Sequence, residues 1–111
     1  MALACEPRHA SWFTAAVNDL LAELRVARVA ADPARVPEAA KPGGWPALRY
    51  WRLHGSPVMY RSSYRDRIGH YAAAIAQGPN AQNWCIFDNT ASSAAIGDAL
   101  ALAEAMRRQT R

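Results

Sequence analysis

Apolar residues recur along this chain in two rhythms. Phe13, Ala16, Val17, Leu20, Leu21 and Leu24 return at three- and four-residue steps, the stripe of an amphipathic helix, and Ser11 or Thr14 can cap its first turn. Ile68, Tyr71, Ala72 and Ile75 mark a second helix, which Gly78-Pro79-Asn80 ends by supplying a left-handed position and a breaker. A third stripe, Ile96, Ala99, Leu100 and Ala103 with Met106 as an extension, follows Thr90 and Ser92 as candidate caps, and Arg107 and Arg108 suit the negative end of its dipole. Between the helices lie short continuous apolar runs. Leu3 to Glu6 reads as the tail of a strand, Val26 to Ala31 as a buried strand leaving at Asp32-Pro33, Leu48 to Leu53 as a strand closed by His54-Gly55 before the Ser56-Pro57 turn, and Trp84 to Phe87 as a fourth. From Pro33 to Pro46 runs a long loop with four prolines, the Gly43-Gly44 pair and an isolated Trp45, which is expected to plug a gap.

The order strand, helix, strand, loop, strand, helix, strand, helix, with strands apolar along their whole length, predicts a parallel sheet with covering helices, an α/β fold. In such folds the carboxyl ends of the strands open on one rim, where sites are built. That rim gathers Glu6, Arg8 and His9 after the first strand, Asp32 after the second, Arg52 and His54 at the third, and Asp88 and Asn89 at the fourth.

Composition narrows this picture. The 111 residues allow one core, and 51% hydrophobic with 20% charged residues is ordinary globular usage. No apolar run approaches the roughly 18 residues of a membrane span. The N-terminus MALACEPRH lacks the apolar core and cleavage site of a signal peptide, so a cytoplasmic protein without membrane contact is expected. Cys5 and Cys85 sit in apolar runs without CxxC or Cys/His spacing and read as buried reduced thiols rather than nucleophiles. The net charge of +4 comes almost wholly from arginine, Lys41 being the only lysine. Arg49, Arg52, Arg61, Arg65 and Arg67 are interleaved with Tyr50, Trp51, Tyr60 and Tyr64, a combination able to hold a phosphate, carboxylate or sugar, or simply to form a solvated rim. Nucleic-acid binding has only this cluster behind it and no recognised module, and is not expected.

Four blocks carry a resemblance. EPRHASW (Glu6 to Trp12), VARVAADPA (Val26 to Ala34), YWRLHGSPVMYRSSY (Tyr50 to Tyr64) and CIFDNTASSAAIGDAL (Cys85 to Leu100) resemble successive blocks of the C-terminal half of the YecE-like proteins, a bacterial and archaeal family carried as a domain of unknown function. The resemblance implies a (β/α)8 TIM-like barrel of about twice this length, akin to sugar isomerases. Residues 1–111 would then be a single partial domain, the C-terminal half, with about four parallel strands and covering helices. It also implies site positions at Glu6, Arg8, His9 and Trp12 after one strand, Arg52, His54, Tyr60 and Tyr64 around the next, and Asp88 and Asn89 at the last. Ala10 stands where the family usually has proline.

Glu6 with His54 or His9 can serve as a general acid and base on a sugar carbon or glycosidic oxygen, with arginines fixing an anionic group. An isomerase- or hydrolase-type activity in full-length relatives is the resulting expectation, with His54 and Glu6 as catalytic residues, and the isolated half is expected to be inactive. Glu6, His9, His54 and Asp88 are ligand types that divalent ions accept, yet no spacing motif singles out a metal site, none is expected, and the sequence names no cofactor. Of another class is a non-catalytic half-barrel that acts by self-association or by pairing with a separate N-terminal half, since four parallel strands leave two unpaired edges.

Overall fold

The computed structural model describes residues 1–109. It is a mixed α/β fold in which six strands, β1 (Leu3–Cys5), β2 (Val26–Arg28), β3 (Ala30–Asp32), β4 (Gly43–Gly44), β5 (Leu48–Leu53) and β6 (Gln82–Phe87), combine with three helices, α1 (Ala15–Glu23), α2 (Ile68–Ala76) and α3 (Ala94–Gln109). Short 3-10 turns cover Ala10–Trp12, Pro37–Ala40 and Arg65–Arg67. Among the described residues, no helix is long and apolar enough to cross a membrane.

The strand expected over Val26 to Ala31 divides at Val29. β2 pairs in parallel with β1 on one side and antiparallel with the two-residue β4 on the other, while β3 pairs in parallel with β5. The Val29 N–H still donates to the Cys5 carbonyl at 2.8 Å, so the chain passes from one sheet to the next without leaving the ladder. β5 then pairs in parallel with β6 along its whole length, from Leu48↔Gln82 to Leu53↔Phe87. The parallel strands therefore stand in sequence order. β4 was invisible to strand patterns because two glycines carry no side chains to alternate. Gly44 takes φ +66°, and a Cβ there would meet the Val26 carbonyl, so this close pairing requires glycine.

One core lies between β3, β5 and the helices α2 and α3. Ala30, Trp51, Leu53, Tyr64, Ile68, Tyr71, Ala72 and Leu102 are buried together, with Cys85, Phe87, Ala105 and Met106 packed against them. The period of two along β5 sends Trp51 and Leu53 into this core and leaves Arg52 for the opposite face.

Thr14, rather than Ser11, caps α1, its hydroxyl accepting from the Val17 N–H at 3.2 Å. Helix α2 ends before Gly78 as expected, but Gly78 is not left-handed. Its missing Cβ makes room for the Arg49 guanidinium, which donates to the carbonyls of Ala74 (3.0 Å) and Ile75 (3.2 Å) and closes the helix in place of a glycine cap.

Helix α3 is rotated from its expected orientation. Ile96 and Leu100, assigned to the core, are 72% and 66% exposed, and the buried face carries Asp98 and Leu102. The reason is polar. The Asp98 carboxylate accepts from the Ser63 hydroxyl, the Tyr64 N–H and the Asn89 amide, each at 2.8 Å, and three donors fixed on other segments outweigh the pull of two aliphatic side chains. Ser92, a candidate cap, instead donates to the Arg61 carbonyl. Replacing Asp98 by alanine strands these buried donors and is expected to cost about 3 kcal/mol in urea unfolding. Asp98→Asn, which keeps one acceptor oxygen, should lose less, and a loss below about 1 kcal/mol for the alanine variant would remove the carboxylate from this role.

Candidate functional site

The carboxyl ends of β1, β5 and β6 bring four rim residues into contact. His54, only 5% exposed, follows β5 directly. Its Nε2 lies 3.0 Å from Glu6 Oε2 and its Nδ1 lies 3.0 Å from Asp88 Oδ2. Arg52, two residues earlier and on the same face, spans the same pair, donating to Glu6 Oε1 at 3.3 Å and to Asp88 Oδ2 at 3.2 Å. Arg8 reaches Glu6 at 3.7 Å with its side chain largely in solvent. Glu6 thus pairs with His54 and not with His9, whose ring contacts the Ser11 hydroxyl and accepts from the Ser11 N–H, capping the turn over Ala10–Trp12.

Hydrogen-bond chemistry constrains the protons. Carboxylate oxygens only accept, so both contacts of His54 can be hydrogen bonds only when the cluster holds one proton more than a neutral imidazole between two carboxylates. In that case the further proton sits on the ring or on one of the acids, and the imidazole lies between two fixed acceptors. A cavity of about 210 Å³ opens beside it, with Glu6, Arg8, Val29, Ala31, His54 and Met59 in its wall.

The loop after His54 frames the cavity. Gly55 takes φ +106° and Tyr60 φ +65°, an uncommon conformation for an aromatic residue. The Tyr60 N–H donates to the His54 carbonyl at 2.6 Å, and its ring meets the His54 ring edge to face at 6.1 Å. Tyr60, Met59 and Trp12 are each about half exposed, and of the three Met59 alone lines the cavity.

Two residues expected at the rim lie inside the protein instead. Tyr64 is fully buried, and its hydroxyl donates to Asp32 Oδ2 at 2.6 Å and accepts from the Gly55 N–H at 2.7 Å. Asn89 is fully buried between Asp98 and the Ser62 carbonyl. Neither is presented to a ligand, because each ties the loop after β5 to another element. Asp32 also turns from the rim: it accepts from Ser56 (2.6 Å) and Arg67 (3.4 Å) as well as Tyr64. Sequence reasoning missed Ser56, Arg67 and Asp98 in these anchors. The only signal was a lone aspartate in the apolar run from Ala94 to Leu102.

The arginine-rich stretch is divided among separate tasks. Arg49 closes α2, Arg52 joins the cluster, Arg67 holds the loop, and only Arg61 and Arg65 stay exposed. A larger cavity, about 620 Å³, lies along the long loop, beside Phe13, Arg28, Lys41 and Trp45. Arg28 is buried there over the Phe13 ring and donates to the Glu38 and Lys41 carbonyls. None of the clustered rim residues faces it. Among the described residues, no group of three or more His, Cys, Asp or Glu is arranged to hold a metal ion.

Burial raises the thiols, Cys85 up to about 12, and raises the hydroxyls of Tyr64 and Tyr71, the latter also up to about 12. Cys85 is therefore a neutral thiol at neutral pH and a poor nucleophile. The unfolded chain gives up these protons nearer 9 and 10, before the folded one does, so the stability they contribute is complete below about pH 9 and declines as pH climbs toward 12. The urea midpoint should fall across that window, and Cys85→Ala should make the fall shallower. An equal fall in both proteins would show that the thiol is not one of its causes.

The chain as a whole is similar to known proteins. A family profile described as a protein of unknown function, DUF72, matches residues 1–111. Two crystal structures are similar to the chain, each at 19% identity and over 96% of its length. One is a DUF72 family protein from Enterococcus faecalis, with TM-score 0.77 and 48% of its chain covered; the other, from Thermotoga maritima, has TM-score 0.78 and 46% covered. The chain therefore spans about half the length of these relatives. No curated protein sequence matches it.

Proposed function

The chain belongs to the DUF72 family of unknown function, and we propose that its Glu6–His54–Asp88 cluster is a proton-transfer centre acting on a small polar or anionic ligand. The observation that carries this reading is the imidazole held at 3.0 Å from a carboxylate at each ring nitrogen, beside an open cavity. An imidazole so placed can deliver a proton to a bound oxygen and recover one, the work of a general acid and base in isomerisation or hydrolysis. Arg52 pairs with both carboxylates, and Arg8, which reaches Glu6 at 3.7 Å from the solvent side, can turn to an anionic group on the ligand. Val29, Ala31 and Met59 in the cavity wall offer it apolar surface.

The architecture that goes with this reading is half of a (β/α)8 TIM-like barrel, residues 1–111 forming one partial domain whose rim is completed by further strands. Parallel strands in sequence order support it, as does the half-length match to the relatives. The YecE-like character of the sequence blocks and the sugar-isomerase kinship it implies make sugars and sugar phosphates the first ligands to try. The dispersal of the arginines speaks against a nucleic-acid surface, which needs a continuous basic track.

Ligand-observed NMR with such compounds at neutral pH tests the proposal. Bound ligands should lose their signal with His54→Gln and Glu6→Gln while circular dichroism stays native. Where turnover is measurable, His54→Gln should lower kcat at least about 100-fold. Folded variants that bind and turn over ligand like the unaltered protein would sink this assignment.

A further inference from the structure

The larger cavity, about 620 Å³, lies away from the rim and shares only Phe13 with the cavity beside His54. Helix α1 lines one side of it, and the loop from Glu38 to Trp45 with the start of β5 lines the other. Arg28 stands out there by its charge. It is only 4% exposed, and an arginine stays protonated throughout the pH range of a folded protein. Burying a full charge is costly, and a buried cation is ordinarily met by a carboxylate. Among the described residues no Asp or Glu forms an ion pair with Arg28. Its Nη2 donates to the Glu38 and Lys41 carbonyls at 3.2 and 3.4 Å, Nη1 makes no hydrogen bond to a described residue, and Nε is buried without a partner. Two carboxylates do line the cavity, yet neither answers this charge. Glu38 turns to Lys41 at 3.7 Å near the surface, and Asp19 is exposed one turn beyond Ala15 on α1.

The chain makes room for this guanidinium. It lies over the Phe13 ring, 5.0 Å from the centroid, and against Gly43, where a Cβ would collide with it. Phe13 leads directly into α1, a helix of nine residues, and its cap Thr14 and first residue Ala15 line the same cavity. The Thr14 hydroxyl accepts from the Val17 N–H, while the first-turn N–H groups of Ala15 and Ala16 have no partner among the described residues. A buried guanidinium and a helix N-terminus thus border one cavity, and both are donors that phosphate groups accept from.

From these observations we propose that this cavity is a second ligand site, separate from the His54 cluster, and that it takes a phosphomonoester. The phosphate lies between Arg28 and the first turn of α1, and the organic part lies along Trp45 and Leu48. A phosphomonoester brings about two negative charges, which supply the counter-charge that Arg28 lacks within the protein. Its three terminal oxygens can accept from donors on two elements at once, whereas a carboxylate offers two oxygens in one plane. The cavity is far larger than a phosphate group alone and falls in the range of sites for small organic ligands, with Trp45, Pro46 and Leu48 giving part of its wall an apolar surface.

Isothermal titration calorimetry of the full chain with phenyl phosphate, inorganic phosphate and benzoate at neutral pH tests the site. Phenyl phosphate should bind at one equivalent and more tightly than either of the others, because it alone joins the phosphate to a group that fills the apolar part. Arg28→Gln should abolish that binding. Because Arg28 also holds two loop carbonyls, Ala15→Pro is the second variant. Proline suits the first position of a helix, and Thr14 already has the extended backbone (φ −104°, ψ 159°) that a following proline requires, so α1 should stay intact by circular dichroism while one donor is lost. The loss of one hydrogen bond to a charged group should weaken phenyl phosphate about 10-fold. His54→Gln should leave this binding unchanged, which separates the site from the rim and its failure from failure of the proton-transfer reading. Binding lost with His54→Gln would place the phosphate at the rim and overturn the proposal. So would benzoate binding as tightly as phenyl phosphate, unaltered affinity in a folded Ala15→Pro variant, or no binding by the unaltered protein.

Discussion

The pleat of β5 is the constraint on which the rest depends. Because successive side chains of a strand point to opposite faces, the run Trp51-Arg52-Leu53-His54 cannot serve only the core or only the site. It sends Trp51 and Leu53 between the sheet and α2 and α3, and Arg52 and His54 to the face where Glu6 and Asp88 wait. A slip of one residue in the pairing with β6 would exchange the two sets, placing an arginine and a histidine in the core. The same packing that makes the fold stable therefore fixes the cluster's geometry, and the six-residue parallel register with β6 guards it.

Around this strand, polar anchors act where apolar packing is indifferent. Tyr64 illustrates the division of labour, its ring buried against Tyr71 and Phe87 while its hydroxyl joins Asp32 to Gly55 and its N–H meets Asp98. One residue, through its hydroxyl and its main-chain N–H, thus links the end of β3, the loop after β5 and helix α3. The loop that carries Met59 and Tyr60 to the cavity is held at both ends by such bonds, through Ser56 and Arg67 on one side and Ser62 and Asn89 on the other. Rigid support of this kind is what a site needs when its reacting group is a single imidazole whose position must be held closely.

How much of this was legible in the sequence follows from the range of the forces involved. Short apolar runs and helical steps are local, so the order of elements, the parallel sheet and the gathering of Glu6, Arg52, His54 and Asp88 at one rim could be read directly. The DUF72 match agrees with the resemblance to a family of unknown function, and it does not bear on the YecE-like designation. What was not legible depends on partners distant along the chain. The stripe on α3 was assigned to the wrong face because hydrophobicity alone ranks Ile96 and Leu100 above Asp98, and only the donors of Ser63, Tyr64 and Asn89 reverse that order. Tyr64 and Asn89 were placed at the rim by their position after strands, while their burial was decided by those same long-range bonds. The split of the second strand at Val29 likewise reflects what lies beside it, since β1 and β4 flank its first half and β5 its second.

The site and the outermost strands of the sheet are linked by side chains. Two strand spacings, roughly 10 Å, separate β1 from β5, a gap that the Glu6 and His54 side chains bridge between them, Glu6 Oε2 lying 3.0 Å from His54 Nε2. The strand between them contributes Ala31 to the same cavity wall, and a methyl group leaves the space above it clear for the glutamate to cross. Asp88 approaches the same imidazole from β6, on the other side. One imidazole and one guanidinium thus tie both outermost strands to β5, and moving either strand away would separate its carboxylate from His54 and from Arg52.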